Sequence, residues 1–204
     1  MAFLDLLAGR KRRTLPIFPL GTVLFPRSLL PLRIFEVRYM DMAKACLKES
    51  APFGICLIRE GQEVGAPAVP ENVGCEARIA ECDMQELGIL KVKVEGGARF
   101  RIVSTEVTKQ GLIMGEVEDL MAEPVVTQVD GLGECATFLR KVMPGIGEDR
   151  FAQPFAFDDA TWVGFRLAEI LPLRSDVKQK LLELTDATLR IALLHKFLRQ
   201  QGLA

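Results

Sequence analysis

Apolar residues between positions 15 and 35 come in short runs broken by Pro16, Pro19, Pro26 and Pro31. Proline has no amide to give a central ladder, so residues 15–20 and 29–35 are expected as short strands with proline at a start, an edge or a bulge. The period changes at Glu36. Phe35, Tyr39, Met42, Ala43, Cys46 and Leu47 recur at three and four, while Arg38, Asp41, Lys44, Lys48 and Glu49 take the other side. That pattern predicts an amphipathic helix ending before Pro52. Residues 53–58 are a brief run of strand formers, and a Gly- and Pro-bearing loop follows over 61–70.

Leu90, Val92 and Val94 alternate with Lys91, Lys93 and Glu95; after Gly96-Gly97, Phe100 and Ile102 alternate with Arg99 and Arg101. This reads as a β-hairpin turning at the glycine pair, with one wet face. A further strand is expected over 112–120, after a turn at Gly111. The strands and the inserted helix together suggest a small closed or half-closed barrel. Beyond Pro124 the pattern turns helical, over about 128–142, 159–171, 176–184 and 187–200. Asp158, Ser175 and either Thr185 or Asp186 stand as the caps of the last three. Short connections imply packed antiparallel neighbours. The expected fold class is α+β: a β-barrel part over 1–122 with an inserted helix, then a C-terminal helical bundle over 123–204.

Composition changes this picture little. The 204 residues are 49% hydrophobic and 26% charged, enough to bury a core without metal or disulfide staples. A net charge of -1 offers no global field for a polyanion, so nucleic acid is not an expected partner. Five cysteines without a C-x-x-C pair fit a reducing compartment, and they read as small buried apolar residues. The apolar residues 1–8 carry Asp5 and precede Arg10, Lys11, Arg12 and Arg13, the wrong charge order for a secretory signal. The basic run reads as a solvated tail. Prolines exclude a clean membrane helix between 15 and 32, so the expectation is a cytoplasmic protein with no membrane partner.

Chemistry-bearing patterns are sparse. His195 is the single histidine and lies beside the stripe of Ile191, Leu194, Phe197 and Leu198, a position for packing. No G-x-S-x-G elbow surrounds Ser28, Ser50, Ser104 or Ser175, although a serine–lysine dyad stays open. Cys75 and Cys82 lack the short ligand pairs of a zinc site, so no metal is assigned. Glu148-Asp149 and Asp158-Asp159 are adjacent carboxylates, of which Asp158 reads as a helix cap. Gly131-Leu132-Gly133 and Gly145-Ile146-Gly147 lack the rest of a phosphate loop. No catalytic residue and no cofactor is expected.

The segments L-P-I-F-P-L at 15–20, V-L-F-P at 23–26, L-P-L-R-I-F-E at 30–36 and Arg38-Tyr39 together resemble the opening of the Lon protease N-terminal domain. The likeness continues through F-G-I-C-L-I at 53–58, V-G-C-E-A-R-I at 73–79, G-G-A-R-F-R-I at 96–102 and L-L-E-L-T-D at 181–186, covering about 14–200. It implies a PUA-like β-barrel followed by a helical bundle, the part of the protease that contacts polypeptide substrates and helps assemble the ring. It implies a stand-alone form without the ATPase and protease domains, so neither activity is carried over. Val37 stands where that family commonly has proline.

Within the motif, Ile34, Phe35 and Tyr39 are expected to anchor the first helix to the barrel. Arg33, Glu36 and Arg38 are expected to form an ion pair fixing the junction. The expected function is non-catalytic binding of unfolded or partner polypeptides in protein quality control, alone or beside a separate protease or chaperone. Leu24, Phe25, Leu29 and Met84 are the candidate contacts, because they fall in loops or at strand ends. Two other classes are weighed: an RNA-binding PUA-like protein, and an enzyme with a small-molecule pocket walled by Phe155, Phe157 and Trp162 between barrel and bundle.

Overall fold

The computed structural model describes residues 12–86, 88–147 and 150–203. The segment up to Lys11, the pair Glu148-Asp149 and the side chain of Met84 lie outside the described residues. The strands are β1 (Arg12–Leu20), β2 (Leu29–Ile34), β3 (Phe53–Glu60), β4 (Val69–Pro70), β5 (Val73–Glu86), β6 (Ile89–Val107) and β7 (Ile113–Asp119). The helices are α1 (Val37–Glu49), α2 (Leu132–Ile146), α3 (Ala160–Ile170), α4 (Ser175–Glu183) and α5 (Ala187–Gln200). The fold is thus a mixed one, rich in strand, with helices concentrated after the sheet.

Sheet order runs β1-β7-β6-β5-β3-β4, β2 pairs with β6, and β1 also pairs in parallel with β3. Pairing therefore returns from β3 to β1. Two prolines on β1 explain where its partners stop. Pro16 lies inside the antiparallel register with β7, which runs from Arg12↔Glu118 to Ile17↔Ile113, while Pro19 lies inside the parallel register with β3, which starts at Ile17↔Gly54. A proline nitrogen must face away from the partner strand. Pro16 therefore faces away from β7 and Pro19 away from β3, each toward a side where that stretch of β1 has no partner among the described residues.

The glycine pair is not a turn. Residues Ile89–Val107 form one continuous strand, and the hairpin bend lies earlier, between β5 and β6, where Gly88 has φ 81°. Gly96 serves close approach instead: a Cβ there would lie 2.1 Å from the Phe25 carbonyl oxygen. The loop carrying Phe25 crosses the strand at that point, with Arg27 N–H donating to Gly96 O at 2.7 Å and Gly96 N–H donating to Ser28 O at 2.9 Å.

Buried charge joins the helices to the sheet. Arg166 on α3 is fully buried and donates to the carbonyls of Arg27 (2.6 Å) and Pro26 (2.8 Å) and to Ser28 Oγ (2.8 Å). The Glu123 side chain, 3% exposed, receives a bidentate pair from Arg190 of α5 at 2.8 and 2.7 Å, and Arg99 of β6 approaches it to 2.6 Å. Arg99 further donates to the carbonyls of Leu182 and Leu184, and Arg190 to that of Leu181 at 3.1 Å. The last carbonyls of α4, orphaned by the helix end, are thus satisfied from the sheet and from α5. The largest apolar cluster spans the same seam, taking in Phe25, Leu57 and Val73 with Leu139, Val163 and Ile191.

Several local expectations need correction. Asp159, one residue after the expected Asp158, caps α3 by accepting from Thr161 N–H at 3.0 Å. Ser175 begins α4 without capping it, whereas Asp186 caps α5 through Leu189 N–H at 3.1 Å. Arg12 and Arg13 are no solvated tail: Arg12 pairs with Glu118 at 3.0 Å, and Arg13 with Asp119 and Glu76. Trp162 is buried against the half-buried Phe155 and Phe157, with ring centroids 5.9 and 5.1 Å away; the three rings pack on one another, and of them Phe157 lines an open cleft beside α2, with Arg140 and Asp158, in place of the expected pocket between barrel and bundle. His195 is half-buried against Gly131. Cys46, Cys56, Cys75 and Cys135 are buried, and Cys82 is exposed.

Candidate functional site

The sequence motif converges on the junction where β2 hands over to α1. Glu36 takes the N-cap position in extended conformation and Val37 begins the helix. The N–H of the first helical position has no partner within the helix in any case, so valine can stand where proline is favoured without changing the hydrogen bonding. At the far end Ser50 adopts φ 52° and its N–H closes on the carbonyls of Cys46 and Leu47, ending α1 before Pro52.

Arg38 is the hub of the junction. Its guanidinium pairs with Glu36 at 2.9 Å, donates to Gly111 O at 3.0 Å and Gly65 O at 2.8 Å, and lies 4.7 Å from the Tyr39 ring centroid. One side chain therefore ties the start of α1 to the loops that follow β3 and β6. Tyr39 is buried and stacked on Phe18, centroids 4.1 Å apart, and that burial raises its phenol pKa. The Arg38→Met variant leaves two carbonyls and the Glu36 carboxylate without their donor. A loss of about 2–4 kcal/mol in unfolding free energy is expected in urea denaturation; a loss below ~0.5 kcal/mol would contradict the hub role.

The motif residues divide differently from expectation. Ile34 and Tyr39 are buried anchors, and Glu36 and Arg38 form the expected ion pair. Arg33 is exposed at the end of β2. Phe35 is no anchor: 52% of it is exposed, because it falls in the turn between strand and helix, where neither element's periodicity draws it inward. Leu24 and Phe25 are no surface patch. They are 2% and 0% exposed, since Arg166 pulls their loop onto the sheet and Phe25 packs 5.8 Å from Phe165. Leu29 is half-buried on β2, and the backbone of Met84 lies on β5.

Two clefts flank the junction. A smaller one of about 360 Å³ lies on the Phe35 side, lined by Leu30, Leu32, Phe35, Tyr39 and Val64, with Glu36 and Glu63 at its polar margin. A larger groove of about 600 Å³ lies on the Val37 side, between α1 and the first half of β1. Phe35 and Val64 are exposed at the smaller cleft and Val37 at the larger groove, apolar surface that burial within the chain does not explain. No signal in the sequence marked the exposure of Phe35, which stands in an apolar run.

The family model described as the ATP-dependent protease La (LON) substrate-binding domain matches residues 14–200. The chain belongs to that family. It is similar to the Lon N-terminal domain protein from Xanthomonas campestris, known from a crystal structure, with a TM-score of 0.75, 34% identity, and coverage of 89% of this chain and 96% of that one. The N-terminal domain of Mycobacterium avium complex Lon protease shares the fold, with a TM-score of 0.66 at 18% identity over 91% of this chain and 97% of its own. Lon proteases from Cytophaga hutchinsonii and Syntrophus aciditrophicus are 25% and 23% identical over 86% and 87% of this chain. The matched region is 23% and 24% of their lengths, so the chain spans about a quarter of these relatives. Among the described residues no helix is long and apolar enough to cross a membrane.

Proposed function

We propose that this Lon substrate-binding-domain relative is a non-catalytic module that recognises unfolded or partner polypeptides, built on a PUA-like barrel (about 1–122) and a helical bundle (about 123–204). The barrel reading is supported by the return of strand pairing from β3 to β1. The binding reading is carried by one observation: the family motif places a half-exposed phenylalanine, Phe35, at the lip of an apolar cleft. An exposed aromatic beside Leu30, Leu32 and Val64 offers a sequence-tolerant surface, gaining about 25 cal/mol for each Å² of apolar area it covers. Partner segments that order on binding give back part of that gain, so affinity is expected to be modest and exchange fast.

The test is titration with a fluorescent, permanently unfolded polypeptide, beside a folded control and an RNA oligomer, at two salt concentrations. Saturable binding of the unfolded chain alone, little changed by salt, is expected, and Phe35→Ser should weaken it about threefold to tenfold. Salt-sensitive binding of RNA without binding of the polypeptide would overturn the proposal.

A further inference from the structure

The larger groove beside α1 has an unpaired strand edge along one wall. Residues 12–15 of β1 pair with β7 and with no other described strand, because the register with β3 starts only at Ile17↔Gly54. Pro16 sits within that β7 register, and its nitrogen must face away from β7. Residues on one strand alternate in direction, so Thr14 shares the orientation of Pro16. The N–H and C=O of Thr14 therefore face the groove that Thr14 and Pro16 line. The slot continues the line of β3 toward the beginning of β1. Segment 50–52, which precedes β3, instead turns up to α1, with Ala51 N–H donating to Cys46 O at 3.0 Å.

Charge and apolar surface define what fits the slot. The floor is aliphatic and sulfur-rich, with Met42, Cys46, Leu112 and Met114. Of the charged residues lining it, Arg13 is paired with Glu76 and Asp119, and Arg38 with Glu36. Asp41 and Glu49, both exposed on the α1 wall, form no ion pair among the described residues, and Lys44 and Lys48 of α1 do not line the groove. The uncompensated charge is negative. Asp41 and Glu49 are eight positions apart on the helix, a rise of about 12 Å, which an extended chain covers in about four residues. Residues i and i+4 of a strand share a face.

We infer that this groove takes an extended segment of a partner polypeptide by strand addition to β1, and that it selects segments with aliphatic residues between basic side chains four positions apart. Main-chain pairing at Thr14 supplies sequence-independent attachment, and the two carboxylates supply the preference. The inference rests on the polypeptide-binding reading above and adds to it a site and a peptide chemistry.

The experiment is fluorescence anisotropy with the full chain and three labelled peptides. The first has lysines four residues apart flanking alternating valine and threonine, the second has glutamates in place of the lysines, and the third is the first with its central amides N-methylated. The lysine peptide should bind at least about tenfold more tightly than either of the others. The double variant Asp41→Lys with Glu49→Lys should reverse the order of the lysine and glutamate peptides, an outcome a misfolded protein cannot produce. Equal binding of the charged pair, or undiminished binding of the methylated peptide, overturns the inference. Binding of the unfolded polypeptide without binding of the lysine peptide overturns this inference and leaves the polypeptide-binding reading standing. Loss of both overturns both.

Discussion

Glu123→Ala is expected to lower the unfolding free energy by about 3–5 kcal/mol, among the largest effects of any single substitution in this chain. Its carboxylate is 3% exposed and is shared by Arg190, which is fully buried, and Arg99, which is 4% exposed. Deleting the acid leaves two guanidinium groups in a desolvated seam with backbone carbonyls and the face of the Phe165 ring, and no anion, as partners. Burial already lowers the pKa of Arg99 against the opposing pull of Glu123. The variant protein should show a lower urea midpoint and early release of the helical part, read from Trp162 fluorescence ahead of the sheet signal. Replacing Glu123, Arg99 and Arg190 together by leucine and methionines should restore most of the loss, because no charge is then left unpaired. A loss below about 1 kcal/mol for Glu123→Ala would show that water enters the seam and solvates both arginines.

Gly96→Ala is expected to cost about 3 kcal/mol or more, while Gly97→Ala should stay within about 1 kcal/mol. The added methyl at Gly96 would meet a backbone carbonyl at 2.1 Å, and that carbonyl belongs to Phe25 in the loop clamped by Arg166. Neither the strand nor the loop can retreat without breaking the pair of hydrogen bonds between Gly96 and residues Arg27 and Ser28. At Gly97 the nearest atom is the Glu76 Cβ at 3.2 Å, a contact that small adjustments relieve. Thermal denaturation of the two variants separates the interpretations. A glycine pair serving as a turn would make both substitutions similarly costly through backbone conformation; a crossing point singles out Gly96.

Much of the architecture was legible in residue order. The three-and-four spacing of Tyr39, Met42, Ala43 and Cys46 foretold α1, and all four are buried. Proline positions foretold the short strands β1 and β2, since a missing amide can be tolerated only where no partner is waiting. The capped apolar stripe of Ile191, Leu194 and Leu198 foretold α5 from Ala187 to Gln200. The motif series running from residue 15 to 186 pointed to the family whose model matches residues 14–200. All of these are signals of local hydrogen-bonding capacity and of faces that must be covered.

Tertiary structure alone decided the rest, and distance along the chain is the reason. Leu24 and Phe25 stand in a loop, which by itself favours exposure, yet an arginine on α3 draws that loop into the core. Phe35 stands in an apolar run, which by itself favours burial, yet the turn from strand to helix leaves it outside. Arg99, Arg166 and Arg190 carry the residue type least expected inside, and each is buried with partners from elsewhere in the chain: Glu123 for Arg99 and Arg190, and for Arg166 the loop around Arg27, added to the local pairing with Glu169 one helical turn on. Alternation and composition determined which segments were strands and helices and which face of each was apolar. Which loop crosses which strand, and so which glycine must stay bare and which charge is buried, depends on desolvation and close approach between residues that are neighbours only in space.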